Sequence, residues 1–175
     1  NDCGQLGLGD TIPRNSPVKV QLPSDPTKVW CGNKCTFVQT KDGRVFVFGD
    51  NSRGMLGTET KEAYVSTPKS NIYLADIEDL EISCGKDFCI ALIENVVYGW
   101  GTNTSGRLCD LSKTTLYPQM LSEDLMGITA IAAGDSHCLA VDAGGTVWGW
   151  GNNSSNQLGD KDVGVFTVLP IIIDI

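Results

Sequence analysis

Short runs of apolar and β-branched residues recur along the chain, and each pair of runs flanks a short polar turn. The pairs are CTFVQT–KDG–RVFVF, CIALI–EN–VVYGW and CLAV–DAGG–TVWGW, which begin at residues 35, 89 and 138. Such pairs predict β-hairpins, because β-branched and aromatic side chains favour strands and Gly, Asn and Asp favour tight turns. No stretch shows a convincing 3.6-residue period. The pattern therefore predicts an all-β protein.

Further short apolar segments lie before and after each hairpin. Those before the hairpins are KVWC (28–31), EIS (81–83) and AIAA (130–133). Those that follow a proline are PVKVQL (17–22), PQML (118–121) and PIIIDI (170–175). We predict a strand in each segment, which gives four short strands in about fifty residues.

A turn motif of the form N-x-x-[GN]-x-L-[GC] divides the chain into repeats. It begins at residues 1, 51, 103 and 153, and prolines recur in step at 17, 68, 118 and 170. The units predicted from these landmarks are a partial blade 1–16, repeats 17–67, 68–117 and 118–169, and a partial unit 170–175. We expect the repeat asparagine to cap backbone groups as an Asx-turn does. Two copies are formal glycosylation sequons, at Asn103 and Asn153, but we expect no glycosylation there.

Four short strands per repeat are typical of a β-propeller blade. One small twisted sheet cannot bury both of its faces alone, and stacking neighbouring blades solves that problem. We therefore predict a β-propeller built from four-stranded blades, with residues 1–175 as a single propeller segment.

The segment from Gly134 to Gly159, GDSHCLAVDAGGTVWGWGNNSSNQLG, resembles the repeat of the regulator of chromosome condensation family. The resemblance extends over essentially the whole chain. It implies a propeller that usually has seven blades, of which this chain would supply about half. We expect the other blades to come from the same, longer polypeptide, because three blades do not close a ring.

Charge and hydropathy exclude several classes of function. The net charge is −8 and the pI is near 4.5, so a nucleic-acid-binding surface is not expected. No apolar stretch is long enough to span a bilayer, and no secretory signal begins the chain. We therefore expect an intracellular protein with seven reduced cysteines, in the cytoplasm or a cytoskeletal or ciliary assembly, with a nuclear location left open.

The aromatic and glycine positions follow the repeat, which favours a structural role. Phe48, Trp100 and Trp150 share one repeat position, and we expect these rings to wedge between blades. The neighbouring G-W-G glycines lack the third glycine and the helix of a dinucleotide-binding motif. We expect them to permit close backbone approach.

The cysteines and the single histidine also follow the repeat, and no catalytic, cofactor or metal residues are predicted. Cysteines at fixed repeat positions are expected to fill the core, with Cys3 and Cys109 the more exposed thiols. Cys31 and Cys35 have metal-like spacing, but no second pair accompanies them. His137 lacks a recognisable nucleophile arrangement.

Loops that depart from the repeat are the candidate functional regions, at residues 58–66, 73–81, 110–117 and 122–127. The second loop holds the candidate partner-binding residues Asp76, Glu78, Asp79 and Glu81. One interpretation is a solvated blade edge that discourages edge-to-edge strand pairing. The other is an acidic docking patch for a basic partner.

Two functions follow from the family resemblance. The first is a non-enzymatic protein-interaction scaffold, which has a cytoskeletal or ciliary setting in some relatives. The alternative is a guanine-nucleotide exchange factor or regulator for a small GTPase. None of the three full repeats carries a long insertion like the β-hairpin wedge of the family's founder, which counts against exchange. Family members that are ubiquitin ligases carry a separate catalytic domain, which this chain does not contain.

Overall fold

The computed structural model describes residues 1–110, 114–160 and 162–174, and these residues form three four-stranded antiparallel sheets. The first sheet contains β1 (Pro26–Cys31), β2 (Cys35–Thr40), β3 (Val45–Asp50) and β4 (Tyr64–Asn71). The second contains β5 (Glu81–Cys84), β6 (Phe88–Ile93), β7 (Val96–Thr102) and β8 (Thr114–Met120). The third contains β9 (Ile128–Ala133), β10 (His137–Asp142), β11 (Val147–Asn152) and β12 (Phe166–Ile173). Each sheet follows chain order, which confirms the predicted all-β architecture of four-stranded blades.

The central hairpin of each sheet is the one predicted from the sequence. In the second sheet the turn between β6 and β7 is two residues long, and both Glu94 and Asn95 have positive φ angles (49° and 64°). Two positive φ angles define a type I′ turn, whose twist matches that of paired strands. The other two hairpins use longer turns with a glycine at positive φ, Gly43 and Gly145.

The third strand of every sheet contains the same irregularity. Its register with the fourth strand shifts at Gly49, Gly101 and Gly151, whose φ angles are 112°, 98° and 97°. A Cβ atom on Gly101 would lie 2.8 Å from the carbonyl oxygen of Asp87, and one on Gly151 would lie 2.9 Å from that of Ser136. The predicted close backbone approach is therefore confirmed, and glycine is required by both conformation and space.

One predicted strand is wrong. Residues 17–22, PVKVQL, form no strand, although the equivalent proline segments lie in β4, β8 and β12. The reason is pairing: a fourth strand bonds to a third strand, and β3, β7 and β11 of the described residues already pair with β4, β8 and β12. The sheets begin at Pro26, Glu81 and Ile128, so unit boundaries at 68 and 118 fall inside fourth strands. Those boundaries stay a prediction. Residues 111–113 of the departing loop 110–117 and residue 175 of the last unit lie outside the described residues.

The hydrophobic core lies between the sheets. One cluster joins the first and second sheets around Phe37 and Trp100, whose rings meet edge to face with centroids 5.9 Å apart. A second cluster joins the second and third sheets around Phe88 and Trp150. Both tryptophans have no exposed surface. The predicted wedging of aromatic rings between blades is confirmed.

No helix in the described ranges has the length and hydropathy needed for a membrane span.

Candidate functional site

A cleft of about 760 Å³ lies between β1, the loop that joins the first and second sheets, the β6–β7 turn and the start of β9. Within the described part of the chain, its charged lining consists of Lys28, Asp76, Glu78, Asp79, Glu81 and Glu94. The structure therefore brings all four predicted acidic residues to one cleft. It adds two residues that the sequence did not single out, Glu94 and Lys28.

The acidic loop, residues 72–80, is held firmly at both ends. Asn71 donates hydrogen bonds from Nδ2 to the carbonyl oxygens of Leu56 and Gly57 and accepts one from the N–H of Tyr73. Within the loop, Leu74 and Leu80 are fully buried in the first core cluster. The carboxylates are therefore displayed on a loop that the core anchors.

Asp76 is fixed against the neighbouring β2–β3 turn. Its N–H donates to the carbonyl oxygen of Gly43 at 2.8 Å, and its φ angle is 60°. A Cβ on Gly43 would lie 2.5 Å from Asp76 Oδ1, so a larger residue at position 43 would displace this carboxylate. Backbone pairing thus sets the position of Asp76 at the rim.

Glu81 is committed to contacts within the protein. Lys28 Nζ lies 3.0 Å from Glu81 Oε1 and also donates to the carbonyl oxygen of Leu80, while Trp30 Nε1 donates to Glu81 Oε2 at 3.2 Å. Partial desolvation opposes ionisation of Glu81, but the hydrogen bonds from Lys28 and Trp30 outweigh it and lower the pKa. Glu81 therefore ties β5 to β1, and Lys28 is already engaged.

The remaining carboxylates face solvent without a countercharge. Asp76, Glu78, Asp79 and Glu94 are exposed, and none of them forms a salt bridge within residues 1–110, 114–160 and 162–174. Like charges gathered in a cleft focus a negative potential. The cleft can attract and orient a cationic group.

The cysteines depart from the sequence prediction in two respects. Cys84 and Cys89 face each other across β5 and β6 and form a disulfide, so the prediction of seven reduced thiols is wrong. Cys109 is buried because its side chain packs into the second core cluster, whereas Cys31 is the exposed thiol. Cys3 is half-buried.

The metal-like pair Cys31 and Cys35 is not the group that the fold assembles. The sulfurs of Cys35, Cys84 and Cys89 all lie within 4.8 Å of one another. Burial raises the pKa of the Cys35 thiol to about 12. An unligated Cys35 is therefore a protonated, apolar side chain at neutral pH.

His137 occupies a packing position of the repeat. It begins β10, where β6 has Phe88 and β2 has Cys35. Its ring lies over Gly134, since a Cβ there would approach His137 Cε1 to 2.1 Å. Partial burial lowers the pKa of His137, and nearby Asp135 opposes that effect.

The repeat asparagines cap their turns as predicted. The side-chain oxygens of Asn51, Asn103 and Asn153 accept the N–H five residues later, and their Nδ2 groups donate to carbonyl oxygens further along. All three asparagines are buried. In the sequons at Asn103 and Asn153, the nitrogen that glycosylation modifies is thus already bonded.

Comparison with known proteins identifies the repeat. A family model described as "Regulator of chromosome condensation (RCC1) repeat" matches residues 1–39, 42–92 and 94–141, and a second model with that description matches residues 128–157. This chain belongs to the RCC1-repeat family. The matched ranges cover most of the first two sheets and the first three strands of the third.

Two curated relatives show where such repeats occur. The RCC1-repeat chain is 36% identical over 167 residues to human "Probable E3 ubiquitin-protein ligase HERC6", covering 90% of this chain and 16% of the relative. It is 35% identical over 167 residues to bovine "Secretion-regulating guanine nucleotide exchange factor", covering 90% and 35%. The chain thus spans about a third or less of either relative.

Solved structures show the same fold. The structure described as "Crystal structure of human WBSCR16" superposes with a TM-score of 0.80 at 21% identity, covering 99% of the RCC1-repeat chain and 46% of the other. The three sheets are therefore blades of a β-propeller.

Proposed function

We propose that this RCC1-repeat chain is a protein-interaction module whose acidic cleft receives a basic segment of a partner protein. The observation that carries the proposal is the gathering of Asp76, Glu78, Asp79 and Glu94 around one cleft whose lysine is already paired. Solvated blade edges also carry charge, but a blade edge needs no convergence of acidic residues from separate elements.

The shape and lining of the cleft suit cationic side chains on an extended segment. Ile77 and Leu92 also line the cleft and add apolar lining to the carboxylates. Lysine and arginine bury their aliphatic stems on such surface while the charged group meets an acid. The net charge of −8 adds a long-range attraction that salt weakens.

A charge reversal in the cleft tests this proposal. The probe is a fluorescent peptide of alternating lysine and alanine, titrated by anisotropy at low and at physiological salt. We expect Asp76→Lys with Asp79→Lys to weaken binding at least tenfold, because the cleft then repels the probe. Binding should also weaken as salt rises.

The matched control is Asp162→Lys with Asp174→Lys, which makes the same change in net charge at exposed positions outside the cleft lining. We expect this pair to change affinity by about twofold or less, because only long-range attraction is reduced. If both pairs of substitutions reduced the affinity for the probe equally, the binding would be nonspecific electrostatic attraction, which would contradict the proposal.

A second candidate function is nucleotide exchange on a small GTPase. It is favoured by the 35% identity to a bovine protein named as a guanine nucleotide exchange factor. Release of a fluorescent guanine nucleotide from a panel of purified small GTPases tests it directly. Release accelerated by this chain, or by the full-length polypeptide that contains it, supports exchange activity; unchanged release supports a binding module without it.

The setting of the module is part of the same proposal. We propose that the remaining blades belong to the same, longer polypeptide and that the module acts without catalytic side chains. An intracellular location, in a cytoplasmic, cytoskeletal or ciliary assembly, is the corresponding expectation. Imaging of the tagged full-length protein checks it: nuclear accumulation would favour the nuclear alternative, and an extracellular location would contradict the expectation.

A further inference from the structure

Three cysteines from two sheets meet at the interface between the first and second sheets. Cys35 begins β2, whereas Cys84 ends β5 and Cys89 lies in β6. Their three sulfurs lie within 4.8 Å of one another, and Cys35 and Cys89 are buried. We call these three residues the thiol triad.

Local geometry brings the triad together. Antiparallel pairing of β5 with β6 places Cys84 opposite Cys89. Gly32 leaves room for the first-sheet member, since a Cβ at position 32 would lie 2.6 Å from Cys35 Sγ and 3.0 Å from Cys84 Cβ. A glycine at position 32 is thus required for Cys35 to reach the second sheet.

The triad is a local departure from the repeat. The corresponding positions between the second and third sheets hold Phe88, Ala133 and Cys138. There Cys138 packs in the core with its sulfur 3.8 Å from the carbonyl oxygen of Arg107. A single cysteine therefore satisfies packing at this repeat position, and packing does not explain three.

The triad has a route to solvent. Cys84 is half-buried and lines a cleft of about 400 Å³ together with Asn33, Lys86 and Asp135. An ion entering this cleft meets Cys84 first, and the two buried sulfurs lie behind it. The same opening leaves room for a water molecule as a further ligand.

We propose that the reduced thiol triad binds one thiophilic d¹⁰ cation, Cu⁺ or Zn²⁺, and thereby clamps the first sheet to the second. Thiolates are the ligands that these ions prefer. Sulfurs that share an ion at about 2.3 Å lie roughly 4 Å apart. The Cys35 sulfur lies within 4.8 Å of the other two, and the Cys84 and Cys89 sulfurs must separate from their bonded distance after reduction to share an ion with it. The Cys84–Cys89 disulfide and the metal-bound state exclude each other, because both use the same two sulfurs.

The chemistry balances with a phosphine as reductant. The phosphine takes an oxygen atom from water and becomes a phosphine oxide, while the Cys84–Cys89 bond gains two electrons and two protons to give two thiols. Binding the cation then releases one proton from each thiol that becomes a thiolate. The cation therefore links the two sheets only when the Cys84–Cys89 disulfide is reduced.

Metal titration of the phosphine-reduced protein under anaerobic conditions tests the proposal. One arm uses Cu⁺ in competition with a copper chelator, and the other uses Zn²⁺ in competition with a zinc-binding dye. We expect one ion per chain and, by X-ray absorption, three sulfur neighbours. In the Zn²⁺ arm we expect one further oxygen neighbour, from a water ligand. In the Cu⁺ arm we expect the three sulfurs alone, in a trigonal arrangement.

Matched variants decide whether the triad is the site. We expect Cys35→Ser and Cys89→Ser to weaken binding at least about 100-fold, and Cys31→Ser and Cys138→Ser to leave it unchanged. Circular dichroism checks that each variant is folded. Cys35→Ala serves as a second variant that lacks the Cys35 thiol. Hydrogen exchange should slow in β2 and β6 on loading. Failure of the reduced protein to bind either ion, or retention of binding in a folded Cys35 variant, overturns the proposal.

Discussion

In the first three turn motifs, a carbonyl group receives a hydrogen bond from the sheet that follows. Trp100 Nε1 donates to the carbonyl oxygen of Met55 at 2.8 Å, and Trp150 Nε1 donates to that of Arg107 at 3.0 Å. Each bond joins a third strand to the turn of the preceding sheet. The tryptophans thus link blades by a directional bond as well as by ring burial.

In the first sheet, the carbonyl group equivalent to those of Met55 and Arg107 is that of Gln5, and its hydrogen-bond donor is not a tryptophan. Phe48 has no donor, and the hydroxyl of Thr36 donates to the carbonyl oxygen of Gln5 at 2.9 Å. Where Trp150 supplies the donor, the place of Thr36 is taken by Cys138, whose sulfur lies 3.8 Å from the carbonyl oxygen. The turn carbonyl can therefore receive its hydrogen bond in two ways. A threonine donates where the third strand has phenylalanine, and a tryptophan donates where the second strand has cysteine.

Because the two donors are alternatives, a threonine at position 138 should compensate for loss of the Trp150 donor. Trp150→Phe should raise the opening equilibrium constant of β10 and β11, and with it their hydrogen-exchange rate, about 30-fold, because a buried acceptor left without a strong donor costs about 2 kcal/mol. Adding Cys138→Thr should recover most of the loss by copying the first sheet. Hydrogen exchange of these strands by mass spectrometry measures both effects. Cys138→Thr alone is the control, and the absence of rescue in the double variant would contradict the argument.

At the level of the element, the turn motif depends on its buried asparagine. Asn51 accepts the N–H of Leu56 at 3.1 Å and donates to the carbonyl oxygens of Thr60 and Glu62 at 2.9 and 3.0 Å. One side chain thereby closes the turn and holds the segment that follows it. The asparagine replaces the strand pairing that this segment lacks.

Asn51→Ala should release the segment that this asparagine holds. The buried N–H of Leu56 loses its acceptor, which costs about 1–3 kcal/mol, and trypsin cleavage after the exposed Lys61 should rise at least about tenfold. Limited proteolysis followed by mass spectrometry reports the site and rate. Asn33→Ala, at an exposed position, is the control. Equal cleavage of the two variants would show that the cap does not hold the segment.

Sequence patterns predict the elements that depend on local pairing and miss those that depend on distant partners. Hairpins and caps follow from residues close in the chain, so these predictions are confirmed. The strand at 17–22 is wrong because every third strand among the described residues already pairs with another fourth strand. The Cys84–Cys89 disulfide was missed, although the hairpin register of β5 and β6 places the two cysteines opposite each other.

At the scale of the whole molecule, the acidic cleft is a property of assembled sheets. The run from Asp76 to Glu81 is visible in the sequence, but Glu94 and Lys28 reach the cleft from a hairpin turn and from β1. Distances between these elements depend on how the sheets stack, which no local pattern encodes. The sequence therefore predicted the acids and missed the cleft that they line.

Stacked sheets also leave apolar surface uncovered. Among the described residues, Val29, Ile72, Val165 and Leu169 are each more than 60% exposed. We expect the 175-residue polypeptide on its own to associate as its concentration rises, or to melt without a sharp transition, because apolar surface favours contact. Sedimentation velocity and calorimetry measure these properties. A concentration-independent monomer with reversible, sharp unfolding would contradict the expectation.

The bonds between sheets also have a temporal order during synthesis. The acceptor precedes its donor by 45 residues for Met55 and Trp100 and by 43 residues for Arg107 and Trp150. A ribosome adds residues from the amino terminus at about 5–20 per second, so each acceptor turn emerges seconds before the tryptophan that binds it. Each acceptor turn is therefore already synthesised when its donor strand emerges, and we expect these bonds to form in order from the first sheet to the last.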